Sequence, residues 1–135
     1  MGSFEIFNFE NLLVYKRSLD FIDEVYLLSK NFPKLEEYRL SNQLIRASHS
    51  IALNIAEGSA GSNAEFIYFL RVARRSTMEC IVCLSIAKRQ NYISTVIQNK
   101  MRGDAAEISK MIIGLVKSIK NIKDSPLPTH NAPPL

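Results

Sequence analysis

The chain has 135 residues, 47% of them hydrophobic and 22% charged, which fits one globular domain with its own core and excludes a disordered or fibrous chain. Two cysteines exclude a disulfide-stapled scaffold, no apolar run approaches the ~20 residues that cross a bilayer, and no charged-then-apolar leader opens the chain, so the expectation is a cytoplasmic protein without a membrane partner. The net charge of +4 is unevenly spread: residues 1–58 hold six Lys/Arg against eight Asp/Glu and residues 59–135 eleven against five, and such a basic second half suits an acidic partner such as RNA or DNA.

Four of the five prolines fall in the last ten residues, so the body is nearly free of helix breakers. A first helix is predicted from about Glu10 to Lys30. It carries two apolar stripes, Leu12, Tyr15, Leu19, Ile22 and Tyr26 beside Val14, Ser18, Phe21, Val25 and Leu28. Phe32-Pro33 ends it, because proline pushes its predecessor out of the α region.

A second helix is predicted from about Leu35 to Glu57, with Glu36 and Glu37 in the first turn and Gly58 as a left-handed closing residue. Ser62-Asn63-Ala64-Glu65 has capping-box spacing and opens a third helix that ends near Asn91. A fourth begins near Ser94 or Thr95, with Ile97, Met101, Ala105, Ile108, Ile112, Leu115, Ile119 and Ile122 on its apolar face and Gly103 as a place for a bend. No strand alternation appears.

The expected architecture is therefore all-α: an antiparallel up-and-down four-helix bundle over residues 1–124, then a disordered proline-rich tail, 125–135. Helix two is apolar on more than one side. Leu40, Leu44, Ala47, Ile51 and Ile55 form one face, and Ile45, Ala52 and Ala56 lie well around the cylinder. A monomeric bundle needs one buried face per helix, so the surplus points to a homo-oligomer.

Beside that apolar face runs a polar line, Gln43, Arg46, Ser50, Asn54 and Glu57, at three- and four-residue steps. Polar groups at a core edge need partners, since an unpaired buried donor costs about 1–3 kcal/mol. Ser76 and Glu79 on helix three are the natural ones, with Glu79 opposite Arg46. A tertiary or intersubunit contact at Glu57 would outweigh the ~0.3–1 kcal/mol by which the helix dipole disfavours an acid there.

Tyr38-Arg39-Leu40-Ser41-Asn42-Gln43, Arg46-Ala47, Ser50-Ile51 and Asn54-Ile55-Ala56-Glu57-Gly58 resemble the signature of the four-helix-bundle proteins encoded in intervening sequences of bacterial 23S ribosomal RNA genes. The flanks agree: Phe9 to Tyr15, Phe32-Pro33, and Phe69-Leu70 with Ala73, Ser76 and Glu79. Two positions depart, Ala52 where the family usually has proline and Arg75 where it usually has glycine. The resemblance covers about Phe9 to Ile122. It implies a ring-shaped homopentamer, and kinship with a basic accessory protein of diversity-generating retroelements that binds nucleic acid and a reverse transcriptase, a nucleic-acid-processing partner.

The candidate nucleic-acid contacts are Arg71, Arg74, Arg75, Lys88 and Arg89 on helix three and Lys110, Lys117 and Lys120 on helix four, a cationic belt if repeated around a ring. No RNA-binding signature with interleaved aromatics is present, so recognition would be by shape and charge. Cys80-Ile81-Val82-Cys83 matches a redox or zinc spacing by letters only, because both thiols are mid-helix and further ligands are missing. No nucleophile, base and orienter assemble around His49 or His130, so neither a catalytic residue nor a metal or other cofactor is assigned. The expected protein is non-enzymatic. The alternative to nucleic-acid binding is an oligomeric scaffold or adaptor for another protein.

Overall fold

The computed structural model describes residues 7–123, with side chains to Asn121; the tail expected at 125–135 lies outside the described residues. Four helices carry the fold: α1 (Leu13–Ser29), α2 (Leu40–Ser59), α3 (Asn63–Arg89) and α4 (Thr95–Lys123). Short 3-10 turns at Asn8–Asn11 and Lys34–Glu36 precede α1 and α2, and the described residues contain no strand. The helices form a closed cycle of contacts. α1 packs on α2 and α4, α3 packs on α2 and α4, and α1 and α3 sit diagonally across the core.

Of the two stripes on α1, the one through Val14, Ser18, Phe21, Val25 and Leu28 is buried. Within the other, Leu12 is buried, Tyr15 and Ile22 are half-buried, and Leu19 and Tyr26 are exposed. The inward stripe meets Leu44, Ile51 and Ile55 of α2, Leu70, Ala73 and Leu84 of α3, and Ala105, Ile108 and Ile112 of α4 in one core. Each large side chain fully buried there contributes about 1.5–3 kcal/mol. Two fully buried hydroxyls are satisfied by carbonyls of their own helix: Ser18 Oγ donates to Val14 O at 2.7 Å and Thr77 Oγ1 to Arg74 O at 2.6 Å, whereas the buried Ser29 hydroxyl has no partner among the described residues.

The start of α1 and both ends of α2 differ from the sequence reading. α1 starts at Leu13 instead of about Glu10, after the 3-10 turn Asn8–Asn11. α2 starts at Leu40, because the chain after Pro33 makes a 3-10 turn instead of an α-turn. Glu36 still serves that helix from outside, its carboxylate accepting from Leu40 N at 3.3 Å and from the Tyr92 hydroxyl at 2.7 Å. The second bond ties the α1–α2 connection to the α3–α4 connection and holds the Tyr92 phenol above its usual pKa.

Gly58 does not close α2 in a left-handed conformation; it lies within the helix, which runs on to Ser59, and no glycine among the described residues has positive φ. Its role is contact. A Cβ there would sit 2.7 Å from Phe69 Cβ and 3.1 Å from Phe66 Cδ1, so α3 crosses α2 at a distance only glycine permits. The left-handed residue among those described is Asn91, at φ 63°, just past the end of α3.

Gly103 does not break the helix, since α4 is continuous through it. The α3 start follows the expected capping box: Ser62 Oγ accepts from Glu65 N at 3.2 Å and Glu65 accepts from Ser62 N at 2.8 Å. The Ser62 backbone and hydroxyl hold the Glu65 carboxyl below its ordinary pKa. Ser94 Oγ accepts from Ile97 N at 3.1 Å and caps α4 likewise.

The surplus apolar side of α2 is largely consumed within the chain. Ala52 is buried, while Ile45 and Ala56 are half-buried, with Ile45 packed against the core. The physical reason is that α2 sits between α1 and α3 and is covered on both flanks. Large apolar side chains are left exposed elsewhere, as at Leu27, Tyr68 and Val82.

Candidate nucleic-acid interface

Helix α4 separates its charges by side. Its two carboxylates, Asp104 and Glu107, both lie on the seam with α1: Glu107 pairs with Arg17, and Asp104 pairs with Lys100 at 2.7 Å while Lys100 also reaches Glu24 of α1. These are the salt bridges among the described residues. Asp104 and Glu24 hold the Lys100 ammonium above its ordinary pKa. Helix α4 is therefore neutralised along one edge.

On the opposite edge, facing α3, Arg74 Nε donates to Ser109 Oγ at 3.3 Å. Stepping from Ser109 by two helical turns in one direction and three in the other reaches Arg102 and Lys120, both exposed. Lys110 and Lys117 are exposed one step further out. On α3, Arg71 precedes Arg74 by three residues and is also exposed, while Lys88, fourteen residues beyond Arg74, is half-buried. None of these cations has a carboxylate within salt-bridge distance among the described residues. Arg75 and Arg89 are exposed but belong to the outward stripe of α3, which also carries Tyr68, Val82 and Ile86.

The structure thus places Arg74 at the α3–α4 seam beside Ser109, with Lys120 and the additional Arg102 on the same edge of α4, while Lys110 and Lys117 lie on the outer side of α4 and Arg71, Arg75 and Arg89 on the outward side of α3. Sequence reasoning missed Arg102, although its spacing of two turns from Ser109 and five from Lys120 was readable. What the sequence lacked was the Arg74–Ser109 contact that says which edge of α4 faces α3.

The seven polar residues expected as one network divide. Ser50, Asn54 and Ser76 join: Ser76 Oγ donates to Ser50 Oγ at 2.8 Å, and Asn54 Nδ2 donates to Ser50 O at 2.8 Å and Ser50 Oγ at 3.0 Å. Gln43, Arg46 and Glu79 instead line an open concavity of about 590 Å³ with Tyr38, Arg39 and Ile86. Arg46 and Glu79 share this concavity without an ion pair, and Glu57 is exposed with no hydrogen bond among the described residues. The pairing expected for Glu57 from the sequence is therefore not made within the chain. A carboxylate in water at the last turn meets a helix dipole that solvent screens.

Cys80 and Cys83 are buried free thiols of the core. Burial, with Glu79 nearby, pushes Cys80 up to about 12 and Cys83 up to about 11, so both stay protonated at neutral pH. His49 shares a 2.9 Å hydrogen bond with the Tyr26 hydroxyl across α1 and α2. The described residues hold no cluster of three His, Cys, Asp or Glu able to bind a metal, and no helix long and apolar enough to cross a membrane.

The fold defines a class: a four-helix, all-α protein. The chain belongs to the 23S rRNA-intervening sequence protein family, which it matches over residues 10–114. It is similar to a crystallised protein of unknown function from the S23 ribosomal protein family of Bacteroides thetaiotaomicron, with 30% identity, a TM-score of 0.72, and coverage of 78% of this chain and 99% of that one. No curated protein matches the chain.

Proposed function

We propose that the protein is a non-enzymatic, self-associating, antiparallel up-and-down bundle of the cytoplasm that binds nucleic acid, RNA first, along the α3–α4 seam. The observation that carries this reading is the charge separation on α4: its acids are held at α1, and Arg74, Arg102, Lys110, Lys117 and Lys120 are left without carboxylates among the described residues. An exposed row of unneutralised cations is the electrostatic footprint that tracks phosphates.

The up-and-down arrangement is supported by pairings that run in opposite order on neighbouring helices: Arg17 with Glu107 but Glu24 with Lys100. Self-association is supported by large apolar side chains left in water on α1 and α3, and a five-membered ring is what the family resemblance implies.

The test is fluorescence anisotropy with a structured RNA across a salt series. Binding is expected at low salt and should weaken steeply with added salt. Arg74→Ala, Arg102→Ala and Lys117→Ala should each lower affinity and flatten the salt slope by about 0.7–0.9 for each phosphate left unneutralised. Absence of binding at low salt, or binding indifferent to salt, overturns the reading.

The scaffold alternative draws on the concavity at Tyr38, Arg39, Arg46 and Glu79, which is open and combines charged side chains with the apolar Leu40 and Ile86. A protein partner lost on Arg46→Glu, with RNA binding intact, would favour it.

A further inference from the structure

Helices α2 and α3 meet in opposite order along their length: Gly58 lies against Phe66 and Phe69, and Ser50 Oγ accepts from Ser76 Oγ. Beyond Ser50 the contact gives way to the open concavity of about 590 Å³, lined by Tyr38, Arg39, Asn42, Gln43 and Arg46 from the α2 side and by Glu79 from α3. That volume is in the range of small-molecule sites, about 300–1,000 Å³. Tyr38 is 84% exposed, so its ring takes almost no part in the core. Arg39 and Arg46 are exposed, lack an ion pair among the described residues, and stand seven residues apart, two turns or about 10 Å. Asn42 and Gln43 are exposed between them, and each amide both donates and accepts.

The charges around the concavity are mostly positive. Glu79 is the carboxylate in its lining. Glu36 is taken up by Leu40 N and the Tyr92 hydroxyl, and Glu37 lines a separate concavity with Lys30 and Lys34. Glu57, the other acid of the polar line on α2, is eleven residues beyond Arg46, about 16 Å away. On α3, Arg75 stands four residues before Glu79 and Arg89 three beyond Ile86, so both share the side of α3 that lines the concavity. They too are exposed and without a carboxylate in reach among the described residues.

An aromatic face, amides of both polarities and separated arginines are the groups that recognise a nucleotide outside a duplex. The ring stacks on the base, the amides meet its edge, and the arginines hold the phosphates on either side. A paired base has its faces covered by its neighbours and its pairing edge taken, so this chemistry selects unpaired segments. We infer that the concavity takes one unpaired nucleotide of an RNA strand, its base stacked on Tyr38 and its flanking phosphates on Arg39 and Arg46. The inference deepens the RNA-binding reading above and rests on it. The α4 flank of α3 holds phosphates by charge, and the concavity on the α2 flank adds a preference for single strands. The chain has no run of interleaved aromatics, but one ring suffices for one base. Glu79 accepts from an exocyclic amino group, which favours adenine, cytosine or guanine over uracil.

The test uses the full chain, fluorescence anisotropy, and three RNA probes: a blunt duplex, and the same duplex with a single-stranded adenosine or uridine overhang. The parent should prefer the adenosine overhang to the blunt duplex by about tenfold, the effect of stacking one base. Tyr38→Ala should abolish that preference and leave the salt slope unchanged, because stacking releases no counterion, whereas Tyr38→Phe should keep it. Arg39→Ala with Arg46→Ala should weaken binding of the overhang probe, flatten its salt slope by about 1.4, and spare the blunt duplex. The uridine overhang should bind more weakly than the adenosine one, and Glu79→Ala should narrow the gap. These side chains are exposed, and circular dichroism with a thermal melt shows whether the helices persist.

If blunt and overhang probes bind the parent equally, or Tyr38→Ala keeps the preference, the nucleotide site is overturned while the seam reading stands. A protein partner lost on Tyr38→Ala with the overhang preference intact gives the concavity to the scaffold reading and overturns the site. Equal binding of the two overhangs overturns the role given to Glu79. If Arg74→Ala, Arg102→Ala and Lys117→Ala together leave binding unchanged while Tyr38→Ala removes the preference, the seam falls and the nucleotide site stands. Absence of binding to every probe at low salt overturns both.

Discussion

Gly58 offers the sharpest test of the packing. It lies inside α2, so alanine there would on propensity alone stabilise the helix by about 0.8–1 kcal/mol. The structure predicts the opposite sign. The added Cβ would meet Phe69 Cβ at 2.7 Å, Phe66 Cδ1 at 3.1 Å and Phe66 Cα at 3.3 Å. A Cβ and a Cα do not rotate away, so relief requires α2 and α3 to separate. Overpacking of this kind costs about 1–3 kcal/mol, and the upper end applies because the obstacles are fixed to backbone. The net effect of Gly58→Ala is then a loss of about 2 kcal/mol, or a fall in Tm of about 8 °C for a domain of this size.

Gly103 is the internal control. It too is helical, but a Cβ there meets nothing within 4 Å. Gly103→Ala should raise stability by about 0.5–1 kcal/mol, a gain in Tm of about 2–4 °C. Both variants are read by thermal and urea unfolding at matched protein concentration, since self-association makes Tm concentration-dependent. A Gly58→Ala protein as stable as its parent, or a Gly103→Ala protein that is destabilised, refutes the reasoning.

The capping box predicts that Ser62→Ala costs about 1 kcal/mol and speeds amide exchange in the first turn of α3, measurable by urea unfolding and hydrogen exchange. The Arg17–Glu107 pair is 42% and 54% exposed, so Arg17→Ala should cost well under about 1 kcal/mol, and the difference should vanish in high salt. The buried thiols predict an alkaline effect. Their pKa values rise from 9.0 to about 12 and about 11 on folding, so their contribution is complete below pH 9 and is lost as pH climbs through 11 to 12. The urea midpoint should fall over that window, and fall less steeply in a Cys80→Ala, Cys83→Ala protein. Thiol reagents at pH 8 should label the unfolded chain and spare the folded one.

The helices, the Ser62–Glu65 cap, the Asn91 stop, the α4 apolar face from Met101 to Ile119 and the family signature were legible in the sequence, because each is settled by residues within a few turns of one another; Ile97, expected on that face, is exposed, and the side chain of Ile122 lies outside the described residues. The Pro33 stop was legible too, but the 3-10 turn after it was not, since Glu36 acts through Tyr92 from a distant connection. Charge was legible as a sum and not as an arrangement. The basic second half is a matter of counting, whereas the separation of Asp104 and Glu107 from Arg102, Lys110 and Lys117 depends on which edge of α4 meets Arg17 and which meets Arg74.

By itself the sequence determined that this chain makes four amphipathic helices, where most of them begin and end, and which stripe of α4 is apolar. Periodicity and capping are short-range, so the information lies beside the residues it governs. Only the tertiary structure decided which of two apolar stripes on α1 turns inward, that Gly58 serves a close crossing instead of a turn, and that Ser50 finds Ser76 while Arg46 and Glu57 face solvent. Those outcomes depend on the azimuth of each helix against its neighbours. That azimuth is set where all four helices pack their side chains into one shared core, and no single helix carries it.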